Sequence, residues 1–210
     1  MDKALILGGK SGFGLKVAER LKEYYDVTAL GSDDINDFTT VDNLSDDYDN
    51  IFFNHNRGFN EFNDMAPWAD LHVAEKFNTP FMPNPPKLEN KENSALYINC
   101  LLPYDIVRKQ TKLRKVGWMI TYDATQPPFE HEFLSLDAGH QAYVALKRIN
   151  IGIALTYSQK YNTFCVTPAK LTDIEVERLV RHIISDDVKP WLQLWDRGNA
   201  DYNNDSGSGL

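Results

Sequence analysis

Cysteine is scarce: only Cys100 and Cys165 occur in 210 residues. Neither sits in a metal-site spacing, and both fall in apolar stretches, so buried reduced thiols are expected. Long apolar runs are missing as well. The opening run ends after about five residues in glycines, and none approaches the ~18 residues of a membrane span. A signal peptide or membrane anchor is therefore not expected, and cytoplasmic residence is. Positive charge is in deficit, with a net charge of −8. That balance argues against nucleic acid or a membrane surface as partner, since both need clustered Lys/Arg. Arg108, Lys109, Lys112, Arg114 and Lys115 cluster on one expected helix, where a solvated face explains them.

What is present is a 42% hydrophobic chain long enough for a real core. Ala4–Leu7 is a short apolar run suited to a buried parallel strand, and a helical spacing follows to about Tyr25. Val27–Leu30 and Ile51–Phe53 read as further strands. Residues 56–93 are proline- and asparagine-rich, with a short helix expected at Asp70–Phe77. A helix follows over 94–113, kinked at Pro103, then a strand at Val116–Thr121 and a loop at 125–138. The last elements are a long helix over 139–160, a strand at Phe164–Val166 and a helix at Asp173–Ile184 capped by Thr172 or Asp173. Alternating strands and helices predict an α/β protein, a Rossmann-like three-layer α/β/α fold with a parallel sheet. Residues 1–195 form a single domain on this reading, and 196–210 a flexible Asn/Asp/Gly/Ser-rich tail.

The sharpest local feature is Gly8-x-x-x-Gly12-x-Gly14, placed where the first strand hands over to the first helix. One glycine allows a tight turn, one lets the backbone approach a phosphate, and one lets helix pack close to strand. The helix N-terminus then offers free N–H groups to an anion. Gly8, Lys10, Ser11, Gly12, Phe13 and Gly14 are the candidate cradle for a pyrophosphate, with NAD or NADP as cofactor. A P-loop is the rival for Gly9-Lys10-Ser11, but it wants a glycine at Ala4; a ligand-free structural turn is the other. Dinucleotide folds place an acid about 20 residues further on, against the ribose. Ser32, Asp33 and Asp34 stand there, with Lys10 available as a base, and the choice between NAD and NADP stays open.

Tyr143 and Lys147 are four apart on an expected helix and share a face. A neighbouring ammonium lowers a phenol's pKa, which suits proton exchange with a carbonyl or hydroxyl. Glu130, His131, Glu132 and His140 lack ligand spacing, and no metal is expected.

In this order the motifs resemble the short-chain dehydrogenase/reductase family, over roughly residues 3–175. LILGGKSGFGLKVAERL is similar to its first strand, glycine loop and helix; Asp34–Asp37 resembles its acidic segment beside the adenine. Asp49–Asn56 resembles its D-x-x-x-N-N-A-G strand, with Asn54 at the retained Asn and Asn56 for Gly. Tyr97-Ile-Asn99, Gln141–Lys147 and Val166–Thr172 resemble its central helix, active-site helix and P-G-x-x-x-T stretch, with Ala169 for Gly. The resemblance implies an NAD(P)(H)-dependent oxidoreductase acting on a small-molecule carbonyl or alcohol. Tyr143 would be the acid/base, Lys147 would tune it and hold the nicotinamide ribose, and Asn99 would anchor a relay water. The family's serine has no counterpart. Alignment without gaps places Asp123 and Ala124 there, Thr125 fits with a one-residue shift, Thr121 is another hydroxyl, and Ser135 lies nearer Tyr143 in sequence. The alternative is a non-catalytic dinucleotide-binding sensor or scaffold. The resemblance also implies a homodimer or homotetramer built on the helices at 94–113 and 139–160. The chain is short for the family, as if a strand and a helix were trimmed between Ser32 and Asp49.

Overall fold

The computed structural model describes residues 1–31, 33–34, 38–55, 97–126, 138–167, 172–187 and 190–193. The chain runs β1 (Lys3–Leu7), α1 (Gly12–Leu21), β2 (Asp26–Leu30), α2 (Phe38–Asn43) and β3 (Asn50–Phe53). A π-helical turn (Tyr97–Leu101), α3 (Leu102–Lys109), β4 (Lys115–Met119) and a 3-10 turn (Tyr122–Thr125) follow. Then come α4 (Ala138–Tyr157), β5 (Asn162–Thr167), α5 (Asp173–Ile184) and β6 (Trp191–Gln193). The strands form one parallel sheet in the order β2-β1-β3-β4-β5-β6.

The period of two along each strand divides the core into two layers. Leu5, Leu7, Ile51, Phe53, Val116 and Trp118 pack with Leu102, Ile106 and Val107 of α3 and Ala154 of α4. Ile6, Phe52, Phe164 and Val166 pack with Val17 and Leu21 of α1 and Leu179, Val180 and Ile183 of α5. This is the three-layer α/β/α arrangement expected from the sequence. Each such fully buried side chain contributes about 1.5–3 kcal/mol. Because both faces are covered, Ala4–Leu7 reads as an unbroken apolar run. β2 is the sheet edge and is only half-buried. Among the described residues α2 is the element between β2 and β3, and no strand lies beyond β2, consistent with a shortened segment there.

Several boundaries differ from the sequence expectation. α1 stops at Leu21 rather than near Tyr25, because Leu21 is the last residue of its buried stripe; Tyr24 and Tyr25 N–H both turn back onto the Leu21 carbonyl at 2.9 Å. The helix expected over 94–113 is a π-helical turn followed by α3, ending at Lys109. Pro103 carries no N–H for the Asn99 carbonyl, and the turn in which that bond is missing is π-helical. β6 was not anticipated: three residues after Pro190 are too few for a period. α5 matches its expected span, and the Glu175 carboxylate accepts the Thr172 N–H at 2.9 Å as one half of a capping box. Both cysteines are buried and unbridged, with thiols pushed up to about 12 by burial. Among the described residues no helix is long and apolar enough to cross a membrane. The expected helix at 70–77, the tail and the loop holding Glu130, His131, Glu132 and Ser135 lie outside the described residues.

Candidate functional site

The chain steps from β1 outward to β2 and then back across β1 to β3, so strand order reverses at β1 and β3. In open parallel sheets the crevice beyond the strand ends at such a reversal is where ligands bind. The glycine loop leaves β1 at that point. Gly8 takes φ +79°, and a Cβ there would lie 2.7 Å from the His55 nitrogen at the end of β3. A Cβ on Gly14 would lie 2.0 Å from the Gly8 carbonyl oxygen and 2.5 Å from Asn54 Nδ2, so α1 and the loop are in closest packing. Among the described residues, nothing lies within 4 Å of a would-be Cβ on Gly12, at φ +52°. The tight turn, the close packing and the open approach thus fall on different glycines. Ser11 is the extended residue before α1, and the Leu15 N–H closes onto its carbonyl at 3.1 Å. The N–H groups of Gly12, Phe13 and Gly14 lie in the first turn, where no intrahelical acceptor exists. The Phe13 side chain belongs to the core, 5% exposed, so only its main chain is available to a ligand.

Lys10 leaves this loop toward the end of β2. Its stem covers Gly31, and its ammonium pairs with Asp34 at 2.7 Å. The same carboxylate accepts the Gly31 N–H at 2.7 Å. These bonds, Gly31 first and Lys10 second, hold the Asp34 carboxyl below the ordinary value. Ser32 lies outside the described residues. At the end of β3, Asn54 Nδ2 donates to the Gly8 carbonyl at 3.4 Å, tying loop to strand.

α4 brings up the second half of the site. Lys147 is 2% exposed, donates to the Met119 carbonyl at the end of β4 at 3.1 Å, and is lowered to about 8 by burial. Its ammonium lies 5.4 Å from the centroid of the Tyr143 ring. The sequence expectation of a lowered phenol pKa is not what this geometry gives. Burial, and then the negative charge of Asp123, hold Tyr143 above its ordinary value. Asp123 sits on the 3-10 turn after β4, which Arg148 grips through the carbonyls of Asp123, Ala124 and Gln126 at 3.4, 3.4 and 2.8 Å. Thr125 is exposed on that turn, its hydroxyl accepting from Gln126 at 3.0 Å, and Thr121 is half-buried before it. Of the candidates for the serine position, Asp123 is the one whose charge acts on Tyr143. Asn99 is buried on the π-helical turn, next to Ile98.

His55 was not singled out from the sequence, although it stands where the resembling motif has alanine. It is 8% exposed, its ring meets the Ile98 carbonyl at 2.6 Å, and the Lys147 charge acts on it. A chain of neighbours therefore runs from Gly8 through His55 to Lys147 and Tyr143.

No family model matches the chain, and no curated protein matches it. Solved structures do. A small-chain dehydrogenase is 13% identical with TM-score 0.60, over 95% of this chain and 98% of that one. A short-chain dehydrogenase from Streptomyces avermitilis is 11% identical with TM-score 0.60, over 97% and 91%. The Bordetella bronchiseptica enzyme WbmF, solved with NAD+ and UDP, is 14% identical with TM-score 0.55, over 100% and 78%. The chain has the Rossmann-like fold of the short-chain dehydrogenases.

Proposed function

We propose that the chain is an NAD(P)(H)-dependent oxidoreductase of short-chain dehydrogenase type, acting on a small-molecule carbonyl or alcohol. The observation that carries this is the convergence of an open glycine cradle and the Tyr143–Lys147 face at the ends of β1, β3 and β4. First-turn N–H groups of α1, with Ser11, hold the pyrophosphate, and Lys147 holds the nicotinamide ribose. The nicotinamide supplies hydride chemistry when bound. Tyr143 gives a proton to the carbonyl oxygen in reduction and takes it back in oxidation. The Tyr143 phenol, held above its ordinary value, is in its protonated form at neutral pH, the form that reduction requires. Asn99 stands as the relay anchor, and Thr125 as a candidate hydroxyl on the turn.

NAD(H) is favoured over NADP(H) in this reading. Asp34 keeps its negative charge at the end of β2, and the Lys10 ammonium is already engaged by it. A 2′-phosphate would meet that carboxylate. Exposed Leu101 and Tyr104 before and on α3, with Ile149 and Leu155 on α4, support self-association through these helices, and light scattering showing monomer alone would count against it.

Titration with NAD+ followed by a carbonyl panel tests the function, with Tyr143→Phe expected to keep cofactor affinity and lose turnover. A variant as active as wild type refutes the role of Tyr143. Binding with no turnover on any carbonyl supports the second reading, a non-catalytic dinucleotide sensor. The Asp123 charge beside Tyr143, in place of a serine hydroxyl, is the observation that favours it.

A further inference from the structure

Behind Lys147 stands an imidazole with one committed end. His55 Nε2 lies 2.6 Å from the Ile98 carbonyl, and a carbonyl only accepts, so Nε2 carries the proton and Nδ1 is a bare acceptor. Nδ1 is buried without a hydrogen-bond partner among the described residues, and the ring is only 8% exposed. The main chain of His55 is pressed against Gly8, and its ring meets Phe53 edge-on at 6.0 Å, so it has little room to turn. The charge acting on the ring is that of Lys147 from α4. Beside that amine, on the π-helical turn, the Cys100 thiol is kept protonated by burial. Lys147 has three donors, and Met119 takes one. Asn150, on the same side of α4, adds a second buried acceptor, Oδ1, also without a partner among the described residues.

We propose that His55 is a positioning residue for Lys147: its Nδ1 accepts a hydrogen bond from one buried water held by the Lys147 ammonium, which fixes the direction of the amine. Such a water accepts from Lys147 and donates to His55 Nδ1, within the two to four partners a buried water takes. The ring remains neutral while it does this, because burial lowers its pKa to about 4. The glycine cradle and the proton-transfer face then share one fixed residue.

This role rests on the reading of Lys147 as a site residue, but the hydrogen bond can be measured without turnover. Long-range nitrogen–proton NMR on the full chain labelled at histidine, with His55 assigned by His55→Gln, reads both ring nitrogens. We expect a protonated Nε2 and an unprotonated Nδ1 from pH 5 to 8, with Nδ1 displaced upfield from a bare imine nitrogen. Lys147→Met should move Nδ1 downfield while Nε2 stays. A protonated Nδ1, a bare-imine shift in the wild type, or an Nδ1 indifferent to Lys147→Met overturns the proposal. The wild-type shift decides if Lys147→Met does not fold. Where turnover is found, His55→Ala should displace the pH profile and His55→Gln, which keeps an acceptor, should restore it; equal profiles for wild type and His55→Ala refute the positioning role. A chain that turns nothing over refutes the dehydrogenase reading and leaves the nitrogen shifts to decide this one.

Discussion

Replacing Gly14 by alanine places a methyl carbon 2.0 Å from the Gly8 carbonyl oxygen and 2.5 Å from Asn54 Nδ2. Carbon–oxygen contacts are comfortable at about 3.3 Å and beyond. The loop and α1 must therefore part by more than ~1 Å, and the nearest atom is backbone, which cannot swing aside. Overpacking of this kind costs about 1–3 kcal/mol. At about 2–4 °C per kcal/mol for a chain of this size, the melting temperature should fall by ~2–12 °C. Gly12→Asn is the matched control. Asparagine tolerates the left-handed backbone at φ +52°, and among the described residues nothing lies within 4 Å of its Cβ. Its stability should stay near wild type while dinucleotide affinity falls, because the new side chain occupies the approach to the first-turn N–H groups. Thermal melts and NAD+ titration on both variants separate the two effects. A Gly14→Ala protein that melts with wild type, or a Gly12→Asn protein that binds with wild-type affinity, would refute this assignment of jobs to glycines.

Folding should weaken in acid through His55. Its folded pKa of about 4 lies below the unfolded value of ~6.5, so the unfolded chain takes up the proton first as pH falls. The stability its neutral form contributes is complete above ~6.5 and is lost down toward 4, and urea melts of His55→Gln should show a flatter acid limb. Glu175→Ala should cost about 1 kcal/mol by freeing the Thr172 N–H, with Glu175→Gln costing less because an acceptor remains. Wild type should bind NAD+ more tightly than NADP+, and Asp34→Asn should narrow that difference by releasing Lys10; an NADP+ preference in the wild type refutes the reading of the pair.

The fold was legible where chemistry and period agree. Ala4–Leu7 is apolar on both faces because the sheet is covered twice, and the three glycines have a strand before them and a helix after. The span of α5 was readable from its apolar stripe, with Thr172 or Asp173 as its cap; the Glu175 half of the capping box came only with the structure. β6 was not readable, because three residues after a proline carry no period. The π-helical turn at Tyr97–Leu101 was half legible: Pro103 announces lost hydrogen bonding, but not the wider turn before it. At the candidate site, Tyr143 and Lys147 could be paired by spacing alone. The sign of the Tyr143 shift could not, because it depends on how deeply α4 is buried and on which residue of the 3-10 turn comes near. His55 was hidden for a similar reason: its partners Ile98 and Lys147 are distant in sequence, and only its bulk in a small-residue position hinted at it.

The Arg148 grip has a consequence for how this pocket could diversify. Its bonds to the 3-10 turn end on main-chain carbonyls, which every amino acid possesses. The anchor is thus indifferent to what the turn displays, so position 123 behaves as a socket with interchangeable fittings. Asp123→Ser can install a hydroxyl and remove a charge in one substitution with those bonds still available. A lineage, or an engineer, can change the surroundings of Tyr143 there without disturbing the backbone beneath it.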